Sequence, residues 1–177
     1  MAEPRQRVVL VGFMGAGKST VGPLVARRLG FRFEDMDHKI EARAGRAVAT
    51  IFHEDGEEAF RALEREEARI LSGESHVVVA AGGGAFTREE TRTLLQQGAV
   101  TVWLRCDLET ALARLPTDGS RPLAENRDIM RGLLAEREPL YRMADVAVNA
   151  VGAPEDVANR VLALVRARLR AEAAAGR

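Results

Sequence analysis

The sequence predicts an α/β domain built around a mainly parallel sheet. Short apolar, β-branched runs alternate along the chain with stretches of helical period. Those runs are continuously apolar, as strands covered on both faces are. A glycine-rich turn, GFMGAGKST over residues 12–20, directly follows the first run and opens a helix.

Residues 7–11 (RVVLV) are bounded by charge and then glycine and read as a buried strand. Residues 18–29 follow as a helix closed by Gly30, where left-handed backbone ends a helix. Residues 31–34 form a second strand, and 40–43 and 48–53 are short helical pieces interrupted by Gly45. After Asp55 and Gly56 a longer helix runs to about Leu71, with Phe60, Leu63, Ala68, Ile70 and Leu71 as its apolar stripe. Residues 77–81 are the plainest strand, and Gly82, Gly83 and Gly84 follow it. A helix over 89–97 ends at Gly98; a strand over 100–104 and a helix over 108–115 come next. Residues 116–125 (PTDGSRPLAE) have the composition of a loop. A helix over 127–142, strained or ended near Pro139, a strand over 146–148 and a helix over 155–170 complete the order. The Arg/Ala/Glu-rich end, 166–177, reads as a fraying helix terminus.

With 177 residues, 46% of them apolar, the chain fits one domain with one core, residues 1–177. Acidic and basic groups number 26 each, a balance that argues against a nucleic-acid binder. Trp103 and Tyr141 are single and offer no stacking platform for bases. One cysteine, Cys106, forms no internal disulfide, and no Cys/His cluster has metal-site spacing, so a reduced cytoplasm is the expected setting. No signal peptide or membrane span is expected from apolar runs this short.

The turn after the first strand matches G-x-x-x-x-G-K-[ST] through Gly12, Gly17, Lys18 and Ser19. Glycines let the backbone wrap phosphate oxygens, and the start of the following helix adds its positive end. Lys18 is one of only two lysines beside 24 arginines, and it falls where a compact, phosphate-seeking ammonium is needed. Lys18 is expected on the β- and γ-phosphates of a nucleoside triphosphate and Ser19 on Mg²⁺. No guanine-reading N-K-x-D segment is present, which leaves a small kinase as the expectation.

Asp35 and Asp37 lie just past the second strand, where i,i+2 spacing can aim both carboxylates one way. One can hold the metal shell while the other accepts a hydrogen bond from an acceptor hydroxyl; an ordinary acidic turn is the alternative. The glycine triplet stands at the carboxyl end of a strand, where open α/β sheets place ligands. Arg61 with Glu64 one turn on reads, by itself, more readily as a solvated i,i+3 pair. Arg121 lies in the Pro/Gly/Asp loop, which suits a lid that excludes water and brings positive charge. Arg142, after Tyr141, is a further possible anion clamp.

Taken together, GFMGAGKST, DMD, FRALE, AGGGA, RPL and PLYR resemble, in order and spacing, the shikimate kinase family within the nucleoside-monophosphate-kinase-like P-loop fold. The resemblance covers nearly the whole chain. It implies a three-layer α/β/α domain with a five-stranded parallel sheet, a shikimate-binding subdomain over 35–63 and a lid over 115–126. It implies transfer of the ATP γ-phosphate, with Mg²⁺, to the 3-hydroxyl of shikimate, in the route to chorismate and the aromatic amino acids. The implied roles place ATP on Gly15, Ala16, Gly17, Lys18, Ser19 and Thr20. They put Ser19 and Asp35 on the metal, Asp37 as base and shikimate-hydroxyl ligand, and Arg61 and Arg142 on the shikimate carboxylate. Gly82, Gly83 and Gly84 line the acceptor pocket, Arg121 is the lid arginine, and Arg114 stacks near adenine. A monomer is implied as well. Ala81, the lid composition and the arginine-rich tail depart from the family pattern without touching these positions. Two alternatives remain open: a related gluconate or nucleotide kinase, and a non-catalytic nucleotide-binding regulatory protein.

Overall fold

The computed structural model describes residues 7–116 and 126–175. The first apolar run is strand β1 (Arg7–Val11), and all five of its residues are buried because it lies at the centre of the sheet. The other strands are β2 (Arg32–Asp35), β3 (Val77–Ala80), β4 (Ala99–Arg105) and β5 (Val146–Asn149). They pair in parallel in the order β2-β3-β1-β4-β5. The helices are α1 (Lys18–Leu29), α2 (Met36–Ala44), α3 (Val48–Asp55) and α4 (Glu57–Ser72), then α5 (Glu89–Gln96), α6 (Leu108–Arg114), α7 (Arg127–Tyr141) and α8 (Pro154–Ala175).

Alternate residues of each strand face opposite layers. Val8, Leu10, Val78 and Val102 pack with Val25 of α1 and Val161 and Val165 of α8. Val9, Val11, Val77 and Val79 pack with Leu71 of α4, Leu95 of α5 and Met130 of α7. Helices cover both faces, which explains the unbroken apolar runs. A third, smaller cluster joins Ile40 of α2, Ile51 of α3 and Phe60 of α4.

The two edges of the sheet are organised differently. Leu10 pairs with Ala80, and the Ala81 amide donates to the Leu10 carbonyl at 3.0 Å. The loop after β1 and the glycines after β3 therefore emerge side by side from the same edge. At the opposite edge, the buried guanidinium of Arg7 donates to the carbonyls of Leu71 and Ser72, both at 2.7 Å, of Glu74 at 3.2 Å, and of Gln97. One side chain thus ties the ends of α4 and α5 to the start of β1.

Several boundaries depart from the sequence expectation. Strand β2 begins at Arg32 and ends at Asp35, and α2 starts directly at Met36, four residues before the expected helical piece. The cause is local: the Asp35 side chain accepts from the Asp37 and His38 amides and caps the helix. In α4 the buried face contains Glu64 and Glu67 beside Phe60, Ala68 and Leu71, while Leu63 and Ile70 are only half-buried. Pro139 neither ends nor visibly strains α7, which continues to Tyr141. Proline there forgoes the N–H bond to the carbonyl of Ala135, and the helix runs only two residues beyond it. The tail continues α8 in helical form to Ala175.

Candidate active site

The loop between β1 and α1 takes backbone shapes that need glycine. Gly12, Gly15 and Gly17 have φ of 146°, 78° and 97°. The loop is also packed from outside, since a Cβ on Gly12 would stand 2.7 Å from the Leu104 carbonyl oxygen. No side chain caps the start of α1, and its first turn holds no acidic residue. By contrast α2, α6 and α7 are capped by Asp35, Asp107 and Asn126. An uncapped helix start beneath a glycine loop presents free amides and a positive end, the requirement of a bound phosphate. Lys18 curls over the loop and donates to the carbonyls of Gly12 at 2.6 Å and Phe13 at 3.0 Å.

A cavity of about 490 Å³ opens over this loop. It runs from Pro154 and Arg114, past Lys18 and Ser19, to Asp37 and Gly82. Arg114 lines one end of it, donating to the carbonyls of Gly15 at 3.4 Å, Ala16 at 3.3 Å and Ala150 at 2.9 Å. Cys106 lies close by; burial pushes its thiol up, against the opposing influence of Arg114 and Lys18.

Asp35 and Asp37 do not share a strand end, because the helix begins between them. Asp35 caps α2 with one oxygen and accepts the Ser19 hydroxyl at 2.5 Å with the other. A hydroxyl and a carboxylate thus meet beside the phosphate loop. Among the described residues no group of three or more His, Cys, Asp or Glu could hold a metal. Two hard oxygen donors, with the rest left to phosphate and water, suit Mg²⁺.

Asp37, in the first turn of α2, faces the glycine triplet. A Cβ on Gly82 would stand 3.0 Å from its Oδ1 and 2.7 Å from Glu64 Oε1. Glu64 is 1% exposed. Burial pushes its carboxyl up, the adjoining Asp37 adds to this, and Arg61 and Arg137 oppose it. Arg61 donates to Glu64 at 2.5 Å and to Glu57 through Nε at 3.3 Å and Nη2 at 3.2 Å. Its guanidinium also lies 5.8 Å from the Phe52 ring centroid and 5.6 Å from that of Phe60. Burial works against its charge, and the two glutamates outweigh burial and raise its pKa. The pair that reads as solvated in sequence is therefore a buried pair beside the glycine triplet. Its partner Glu64 is legible in the sequence only as half of that pair.

Arg142 requires a correction. Its side chain is 63% exposed and pairs with Glu138 at 2.8 Å, one turn back on the outer face of α7. Arg137 is the arginine of α7 beside the glycine triplet: its Nη1 would stand 3.4 Å from a Cβ on Gly83, and its charge acts on Glu64 and Tyr141. The reason is helical phase. Residues 137 and 141 lie one above the other, whereas 142 follows 138. Nothing in the sequence singles out Arg137 among so many arginines except its i,i+4 spacing to Tyr141, the one tyrosine and a wholly buried one. Arg121 and most of the expected lid lie outside the described residues.

The shikimate kinase family model matches residues 14–166. The shikimate kinase of Geobacter sulfurreducens is 44% identical over 165 residues, which is 91% of each chain. That of Persephonella marina is 38% identical over 163 residues, 91% of this chain and 99% of the relative. Among solved structures, shikimate kinase from Acinetobacter baumannii in complex with shikimate is 37% identical, with a TM-score of 0.88 over 94% of this chain and 96% of that one. A gluconokinase from Sinorhizobium meliloti, 19% identical with a TM-score of 0.67 over 99% of this chain and 100% of that one, shares the fold. Sequence match across nearly the whole length and the same five-stranded parallel architecture agree: this chain belongs to the shikimate kinase family.

Proposed function

We propose that the chain transfers the γ-phosphoryl group of ATP to the 3-hydroxyl of shikimate, giving shikimate 3-phosphate and ADP. The observation that carries this is the meeting of Arg61 and Arg137, from two different helices, on the glycine triplet that adjoins the phosphate loop. Two guanidiniums beside a carboxylate-lined pocket suit an acceptor with one carboxylate and several hydroxyls. A gluconate or nucleotide kinase shares the fold, and the gluconokinase from Sinorhizobium meliloti stands at 19% identity.

In this reading ATP lies along the 490 Å³ cavity, its base between Arg114 and Pro154 and its phosphates on residues 15–20. Lys18 leaves the loop carbonyls for the β- and γ-phosphates. Ser19 and Asp35 are the residues that would hold Mg²⁺, which would supply charge neutralisation for phosphoryl transfer. Arg61 and Arg137 orient the acceptor by its carboxylate, and Asp37 holds the attacking hydroxyl and takes its proton late in transfer. Arg121 supplies positive charge from the segment 115–126, which this reading makes the lid. The substrate-binding subdomain is 35–63, supported by its own cluster of Ile40, Ile51 and Phe60. The same reading makes the protein a cytoplasmic monomer. No helix among the described residues is long and apolar enough to cross a membrane.

The test is ADP release with ATP–Mg²⁺ and shikimate, quinate, gluconate or a nucleoside monophosphate. Release with shikimate alone, abolished by EDTA and restored by Mg²⁺, is the expected result. No shikimate-dependent release from folded, ATP-binding protein would overturn the assignment.

A further inference from the structure

We propose that Tyr141 is a positioning residue for the acceptor half of the site, holding the middle glycine of the triplet and Arg137 in one arrangement. The proposal rests on the reading of Arg137 as an acceptor ligand.

Tyr141 closes the last turn of α7 and is wholly buried. Its ring lies 6.2 Å from that of Trp103 on β4, the planes 34° apart. The hydroxyl is the one polar group of this buried side chain and must find partners. It donates to the Gly83 carbonyl at 2.5 Å, across 58 residues of sequence. The Arg137 guanidinium, one helical turn earlier, lies near enough for its charge to act on the phenol, and its Nη1 would stand 3.4 Å from a Cβ on Gly83. The phenol thus stands between the Gly83 carbonyl, to which it donates, and the charge of Arg137, which itself stands beside Gly83.

This arrangement has two effects on the site. The described backbone contains no cis peptide, so the carbonyl of Gly83 and the amide of Gly84 point opposite ways. Drawing the Gly83 carbonyl toward Tyr141 turns the Gly84 amide away from α7. The Gly84 carbonyl is itself held by the amide of Thr87 at 3.1 Å and its hydroxyl at 2.6 Å. The triplet, which glycine alone leaves free to adopt many shapes, is thereby fixed from both sides. The phenol also restricts a long arginine that would otherwise sample many rotamers, so less freedom is lost when the acceptor binds.

The experiment compares Tyr141→Phe, Arg137→Ala and the double variant in steady-state kinetics, with thermal shifts induced by shikimate and by ATP as a readout independent of turnover. Phenylalanine keeps the ring against Trp103, so the fold is retained. The expected result for Tyr141→Phe is a shikimate KM raised about tenfold, the scale of one hydrogen bond to a charged group. Its ATP KM stays within about twofold of wild type, and its thermal shift with shikimate falls while that with ATP persists. The double variant is expected to be no worse than Arg137→Ala, since both act through one arrangement. Equal losses toward both substrates, an additive double variant, or unchanged kinetics would each overturn the proposal. A wild type without shikimate-dependent turnover is a separate outcome: it overturns the functional reading and takes the proposal with it.

Discussion

The guanidinium of Arg61 occupies the space that a side chain on Gly84 would fill. A Cβ there would stand 2.6 Å from Nη2 and 2.8 Å from Cζ. Gly84 has an ordinary right-handed backbone, φ −99°, so it is glycine for room and not for conformation. Gly84→Ala should therefore displace Arg61 and leave the phosphate loop untouched. We expect kcat/KM for shikimate to fall about a hundredfold, as a misfit of about 2–3 kcal/mol gives. ATP binding, followed by calorimetry, should stay within about twofold; a matching loss of ATP affinity would contradict this role for Gly84.

The two arginines of α7 separate cleanly. Arg137→Ala removes a charge from a buried cluster and is expected to raise the shikimate KM by about two orders of magnitude. Arg142→Ala removes one partner of an exposed pair with Glu138 and should leave kinetics within about twofold. Reversed results would restore Arg142 to the site and remove Arg137 from it.

Tyr141 offers a pH test because it is the only tyrosine. Burial pushes its phenol from 10.0 up to about 12, with Arg137 and Arg61 opposing. The native state thus keeps a proton that the unfolded chain gives up. The resulting stability is fully present below pH 10 and is lost as pH rises through about 12. Ultraviolet titration of the native protein should show phenolate appearing about two pH units late. Phenolate formation near pH 10 without unfolding would show that the hydroxyl is not held as described.

Arg7→Met should lower unfolding free energy by about 3 kcal/mol, since four carbonyls lose a shared donor and at least some stay buried. Denaturant midpoints should shift with the slope unchanged. Activity per folded molecule should persist, because Arg7 lies at the sheet edge opposite the site.

Features that depend on neighbours in sequence are legible without coordinates. Local chemistry is enough to mark a buried strand, a glycine that ends a helix, and the Gly12–Lys18–Ser19 spacing that wraps phosphate. Asp35 stands out in the sequence but its setting does not: whether a strand continues or a helix starts at Met36 turns on one side-chain cap. Glu64 and Glu67 stay hidden because composition assigns charge to the solvent side, and only the packing of α4 on its neighbours shows where they point.

By itself, then, the sequence determined the α/β order, the phosphate-loop motif and the family, all of which follow from residues close together in the chain or from motifs in series. Tertiary structure alone decided which arginine of α7 stands beside the glycine triplet, that Arg61 and Glu64 are a buried pair, and that Tyr141 reaches Gly83. The physical reason is the same in each case. These relationships are set by the phase of a helix against a sheet edge and by burial, and each residue along α7 turns the side chain by about 100° around the helix axis, so neighbours in sequence do not share a face.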